Sequence, residues 1–187
     1  MQATKFQVKV YAKTGQIDLE KLVPVFHEWI RSKKISDELL IDVADYAHVP
    51  QGPGVVLLGH QSDYYLDMAD DRPGLLYSRK RGFEGDFQAG IDDSFRRALE
   101  ACQLLEAEGS LDLEFATDEL LFRVQDRLNA PNEDSTYEAY RPALEQTSAA
   151  FFGAPPSLER LGTPREPFAI RINTGASGSV ADALAKH

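Results

Sequence analysis

A single cysteine, Cys102, excludes any internal disulfide, and with it the stapled scaffold of a small secreted domain. Long apolar runs are also missing. None approaches the roughly 20 residues needed to cross a bilayer, and Met1–Gln16 alternates polar and apolar residues where a signal peptide would be continuously apolar. Basic residues are in deficit: 20 Lys and Arg against 30 Asp and Glu give a formal charge of −10, which repels phosphate backbones and anionic lipid. Neither nucleic acid nor a membrane is an expected partner, and the cytoplasm is the expected compartment. Phosphate-binding loops are lacking too, because Gly52-Pro53-Gly54 and the Gly82–Gly85 stretch have no lysine followed by serine or threonine. Ser62 sits between His60 and Asp63 without the Gly-x-Ser-x-Gly elbow of a serine hydrolase. No cofactor is expected.

What remains is ordinary globular material. The length of 187 residues and an apolar fraction of 43% suffice to bury one large core. Phe6, Val8 and Val10 alternate with polar residues as in a strand with one buried face. Leu19, Leu22, Val23, Phe26, Trp29 and Ile30 repeat at helical spacing after Asp18, with Pro24 near the start of the regular part. Leu39–Val43 and Val55–Leu58 are almost continuous apolar runs, as in strands covered on both faces and central in the sheet, and Tyr64–Leu66 and Leu75–Tyr77 suggest a further hairpin. Phe87, Ile91, Phe95, Ala98, Cys102 and Leu105 form a longer helical stripe, with Cys102 as a small core residue. Residues 111–115 and 120–124 suggest a hairpin around Thr117-Asp118-Glu119. Ser135 and Glu138 have capping-box spacing ahead of a third helix that contains Pro142. Phe168, Ile170 and Ile172 supply a last strand after a loop over 153–167.

This order predicts an α+β fold, a two-layer sandwich with helices on one face of a mainly antiparallel sheet. The preferred topology is a ferredoxin-like βαββαβ core extended by βαβ, and the alternative is two half-domains divided near Gly82. Residues 1–173 are expected to form a single domain. Residues 174–187, rich in Gly, Ser and Ala, are expected to be a flexible C-terminal tail or to dock onto a partner.

Three strings stand out: LLIDVADYAHVPQGPGVVLLGHQSDYYLD at Leu39–Asp67, RPGLLYSRKR at Arg72–Arg81 and DRLNAPN at Asp126–Asn132. On these the chain resembles a family of uncharacterised bacterial α+β proteins, over most of its length except the tail. The resemblance implies a cytoplasmic single-domain protein and brings no activity, cofactor or catalytic residue with it.

Two constellations carry possible chemistry. Arg79, Lys80 and Arg81, with Arg72 upstream, concentrate positive charge in an acidic chain and are candidates for holding a phosphate or carboxylate, which an arginine fork grips bidentately. The competing reading is a guarded strand edge. Separately, His48, His60, Asp45 and Asp63 supply imidazole and carboxylate ligands of the kind a divalent metal takes, although their spacing matches no compact ligand motif. The expected function is therefore a non-catalytic cytosolic binding or interaction domain, with a small anion as its candidate ligand and a homodimer as its candidate assembly. The alternative is a metal-dependent hydrolase using His48, His60 and nearby aspartates.

Overall fold

A computed structural model describes residues 4–13 and 17–187; residues 1–3 and 14–16, the ends of the Met1–Gln16 segment, lie outside the described residues. Its strands are β1 (Phe6–Ala12), β2 (Leu40–Tyr46), β3 (Gly54–Gly59), β4 (Ser62–Asp67), β5 (Gly74–Arg79), β6 (Phe115–Val124), β7 (Ser157–Leu161) and β8 (Phe168–Asn173). They form one open sheet in the order β2-β3-β4-β5-β1-β6-β8-β7, with every neighbouring pair antiparallel. The helices are α1 (Leu22–Ser32), α2 (Phe87–Glu106), α3 (Asp134–Phe152) and α4 (Val180–Leu184).

The period of two along each strand sorts residues onto two faces. Phe6, Val8 and Val10 of β1 join the apolar residues of all four helices in one core, while Gln7, Lys9 and Tyr11 alternate with them. Cross-strand register continues that second face through Val56, Tyr65, Leu76, Lys9 and Leu121. Val56, Leu76 and Leu121 are buried, yet none belongs to the helix-covered core. Tight passages between strands require glycine. Gly54 adopts φ +63°, and a Cβ there would lie 2.0 Å from the Leu66 carbonyl oxygen, so no side chain fits.

The stripe on α2 behaves as its spacing predicts. Ile91, Phe95, Ala98, Cys102 and Leu105 are fully buried, and Phe95 stacks between Phe122 and Phe151 at centroid distances of 6.4 and 6.3 Å. The Asp86 carboxylate caps the helix by accepting from Ala89 N–H at 2.8 Å.

Five expectations need correction. The apolar run Leu39–Val43, expected to be central and covered on both faces, lies at the start of edge strand β2, where Leu39 and Ile41 are exposed because no described strand pairs beyond it. The proposed hairpin over 111–124 is one ten-residue strand, β6, because Glu119 pairs with Asn173 and the Asp118 carbonyl accepts from Thr174, so the polar triplet serves the ladder and makes no turn. The loop over 153–167 contains edge strand β7, paired with β8. Ser135 caps nothing: α3 starts at Asp134, and the Ser135 hydroxyl donates to the Glu133 carboxylate at 2.6 Å. The segment that composition marks as a flexible tail carries α4, closed by a Ser179–Asp182 capping box, with Val180 and Ala183 buried and α2 as its main neighbour.

Candidate functional site

The anion-binding and metal candidates derived from sequence lie along β2–β5, and the ladder disperses most of them. Asp45 pairs with Val55 at one end of the β2–β3 hairpin, with His48 in the adjoining turn, whereas Asp63 pairs with Leu58 at the other end, next to His60. Antiparallel pairing thus puts the two histidines at opposite ends of the strands. Among the described residues no three His, Cys, Asp or Glu side chains group as metal ligands, and the proposed set of His48, His60, Asp45 and Asp63 does not converge. Arg72 is likewise remote from Arg79, at the far end of β5, where its guanidinium lies 3.7 Å from the centroid of the Tyr11 ring and donates to Glu119 at 2.6 Å. Lys80 is committed to the β3–β4 turn, with its ammonium 2.7 Å from Asp63 and 2.6 Å from the Gly59 carbonyl.

Arg79 and Arg81 stay together and border a cleft of about 310 Å³ with His60, Gln61, Phe83 and Glu84. Arg81 is exposed. Its Nε donates to the His60 carbonyl at 2.9 Å, and no carboxylate of the described residues pairs with it. Arg79 is only 3% exposed, because β5 alternation turns it with Leu75 and Tyr77 toward α2.

Behind Arg79 lies a polar centre between β4, β5 and α2 that the sequence reading missed. Arg79 pairs with Asp93, whose same oxygen accepts from Arg97 Nε at 3.0 Å; Arg96 donates to the other oxygen at 2.6 Å. Three guanidiniums therefore converge on one carboxylate. Arg97 and Asp93 are nearly buried, whereas the further acids, Asp37 at 2.7 Å from Arg97 and Glu100 at 2.7 Å from Arg96, are about half exposed. A second cleft of about 280 Å³, lined by Lys34, Asp37, Tyr64, Arg96, Arg97 and Glu100, opens on this centre from the α1–β2 side.

The centre is not fully satisfied. Arg79 Nε and Tyr77 Oη are buried polar atoms without a hydrogen-bond partner among the described residues, where an orphaned buried group ordinarily costs about 1–3 kcal/mol. Burial pushes the Tyr77 phenol above its ordinary pKa against the opposing pull of Arg79, so it stays a neutral donor. The Arg79 N–H can only donate, whereas the Tyr77 hydroxyl can donate or accept. An unpaired N–H on a buried guanidinium is a group from which an anion can accept.

A signal for this centre does exist in the sequence. Gly90, Ser94, Arg97 and Ala101 recur at intervals of three or four, so one arginine lies in a stripe of small residues, and all four are buried. Asp93 precedes Arg97 by four positions, the spacing of a helical ion pair. Glu38 could not be found this way. It is buried through a long-range bond from the Ser62 hydroxyl at 2.7 Å. No protein-family model and no curated protein matches the chain.

Proposed function

We propose that the protein is a non-catalytic binding domain whose ligand is a small anion, a phosphate or carboxylate, seated in the cleft of His60, Arg79 and Arg81. The observation that supports this most directly is the Arg79 guanidinium, almost fully buried beside the cleft with a donor that no group of the described residues accepts. Arg81 adds an unpaired cation at the mouth, and Phe83, whose ring centroid is 5.1 Å from the Arg79 guanidinium, helps hold that side chain in place. The placement of β1 between β5 and β6, with α2 joining the latter two, favours a two-layer, ferredoxin-like reading in which β3 and β4 are an inserted hairpin. On that reading the cleft sits where the inserted hairpin meets the α2 entry loop.

The test is thermal unfolding at constant ionic strength with inorganic phosphate, sulfate and a set of small carboxylates. A specific anion at about 100 times its Kd should stabilise the folded state by roughly 2.7 kcal/mol. Arg81→Ala, an exposed change that leaves the fold alone, should abolish most of that gain. If wild type and Arg81→Ala respond equally to every anion, the cleft is not an anion site.

A further inference from the structure

The two edges of the sheet are finished differently. The β7 edge is guarded: Glu159 pairs with Arg171 at 2.6 Å, Arg160 pairs with Asp134 at 2.8 Å, and no exposed large apolar residue lies on the strand. The β2 edge is the opposite. Of the five exposed large apolar side chains among the described residues, four lie on or beside β2: Leu39 at 68%, Ile41 at 57%, Tyr46 at 44% and Val49 at 39%. A soluble chain ordinarily buries or scatters such residues, and their concentration on one unpaired edge marks an interaction surface.

Next to the start of β2 is a cleft of about 430 Å³ whose apolar wall is Ile30, Ile35 and Leu39. Farther along the strand, Asp42 and Asp45 are exposed and bond only to nearby backbone, Asp42 to Val43 N–H and Asp45 to Ala47 N–H, both at 2.8 Å. The edge thus offers an apolar socket at one end and uncompensated negative charge at the other. A second copy does not complement it, because two antiparallel β2 strands would bring the Asp42 pair together on one face of the seam and the Asp45 pair on the other, and like charges across strands repel.

We propose that β2 is a docking edge for an extended segment of a basic partner protein, which adds as a ninth strand with Lys or Arg at positions three apart, one on each face of the sheet opposite Asp42 and Asp45, and an apolar side chain in the socket. Main-chain hydrogen bonds supply affinity in such strand addition, and the alternating side chains supply specificity. This surface is separate from the anion cleft.

The experiment uses the full chain and two labelled synthetic peptides, one a valine-rich strand with two lysines three positions apart and a terminal leucine, the other with glutamate in place of lysine. Fluorescence anisotropy should show saturable binding of the lysine peptide alone. Asp42→Lys with Asp45→Lys should weaken it about tenfold or more, and Ile41→Lys, an exposed change, should weaken it similarly. Amide exchange should slow at Val43 and Asp45 on binding. No binding of the lysine peptide, equal binding of both peptides, or binding indifferent to these substitutions would overturn the proposal. So would a concentration-dependent dimer dispersed by Ile41→Lys, which would make a second copy the occupant.

Discussion

Two buried ionic centres lie on opposite faces of this sheet, and their charge counts differ. On the face without helices, Lys9, only 1% exposed, pairs with buried Asp67 at 2.6 Å, one cation to one anion. On the α2 face, Arg79, Arg96 and Arg97 share Asp93, and the extra counter-charge comes from half-exposed Asp37 and Glu100. The first centre is balanced and leaves no unpartnered buried atom. The second has orphaned donors and opens on two clefts. A balanced buried pair is complete in itself, whereas a buried guanidinium with an unpaired donor is not, and this contrast is why the proposed site is placed on the α2 face.

The largest effect should come from removing the shared anion. Asp93→Ala strands the buried Arg79 guanidinium and leaves Arg97 only half-exposed Asp37, and should cost about 3–5 kcal/mol in urea unfolding. Asp67→Ala strands one ammonium and should cost less, because lysine can shed its proton and arginine cannot. A loss from Asp67→Ala as large as that from Asp93→Ala would break the contrast.

The next effect tests the support of the α2 face. Removing residues 179–187 exposes α2 where Val180 and Ala183 cover it, and at the usual return for burying a valine side chain the loss should be about 2 kcal/mol. Composition alone predicts no loss. A melting temperature unchanged by this truncation would restore the flexible-tail expectation.

What the sequence disclosed, and what it concealed, follows from range. The α2 stripe and β1 were legible because both depend on a local period that burial must satisfy. The β5 arginines were legible as charge, but their fates were not: β5 alternation buries Arg79, while Lys80 and Arg81, beyond the strand end, fold back onto the β3–β4 turn. The histidine pair failed because antiparallel pairing, a long-range fact, separates residues that a spacing argument leaves free to meet. The tail misled because small residues look uncommitted in a sequence, yet Ala183 and Val180 need only a shallow groove on α2. Asp93 escaped notice because acids on helices are usually solvated, and only the Gly90–Ser94–Arg97–Ala101 stripe hinted otherwise.

The smallest effect should come from replacing the balanced pair whole. Lys9→Met with Asp67→Leu keeps volume, removes both charges together and strands neither, so stability should stay within about 1 kcal/mol of wild type, as replaced buried pairs often do. Replacing Arg79 and Asp93 the same way would still leave Arg97 without its buried partner, and should be costly. The pair also has a pH signature of definite sign. Burial lowers the Lys9 pKa from its ordinary 10.5 against the attraction of Asp67. Between that lowered value and 10.5 the unfolded chain holds more protons at this position than the folded one, so the Lys9 contribution to stability rises with pH. Wild type should therefore gain on the double variant as pH climbs toward 10.5. A constant or shrinking difference in paired melts would mean that Lys9 titrates normally, and that the balanced centre is more open to water than its burial indicates.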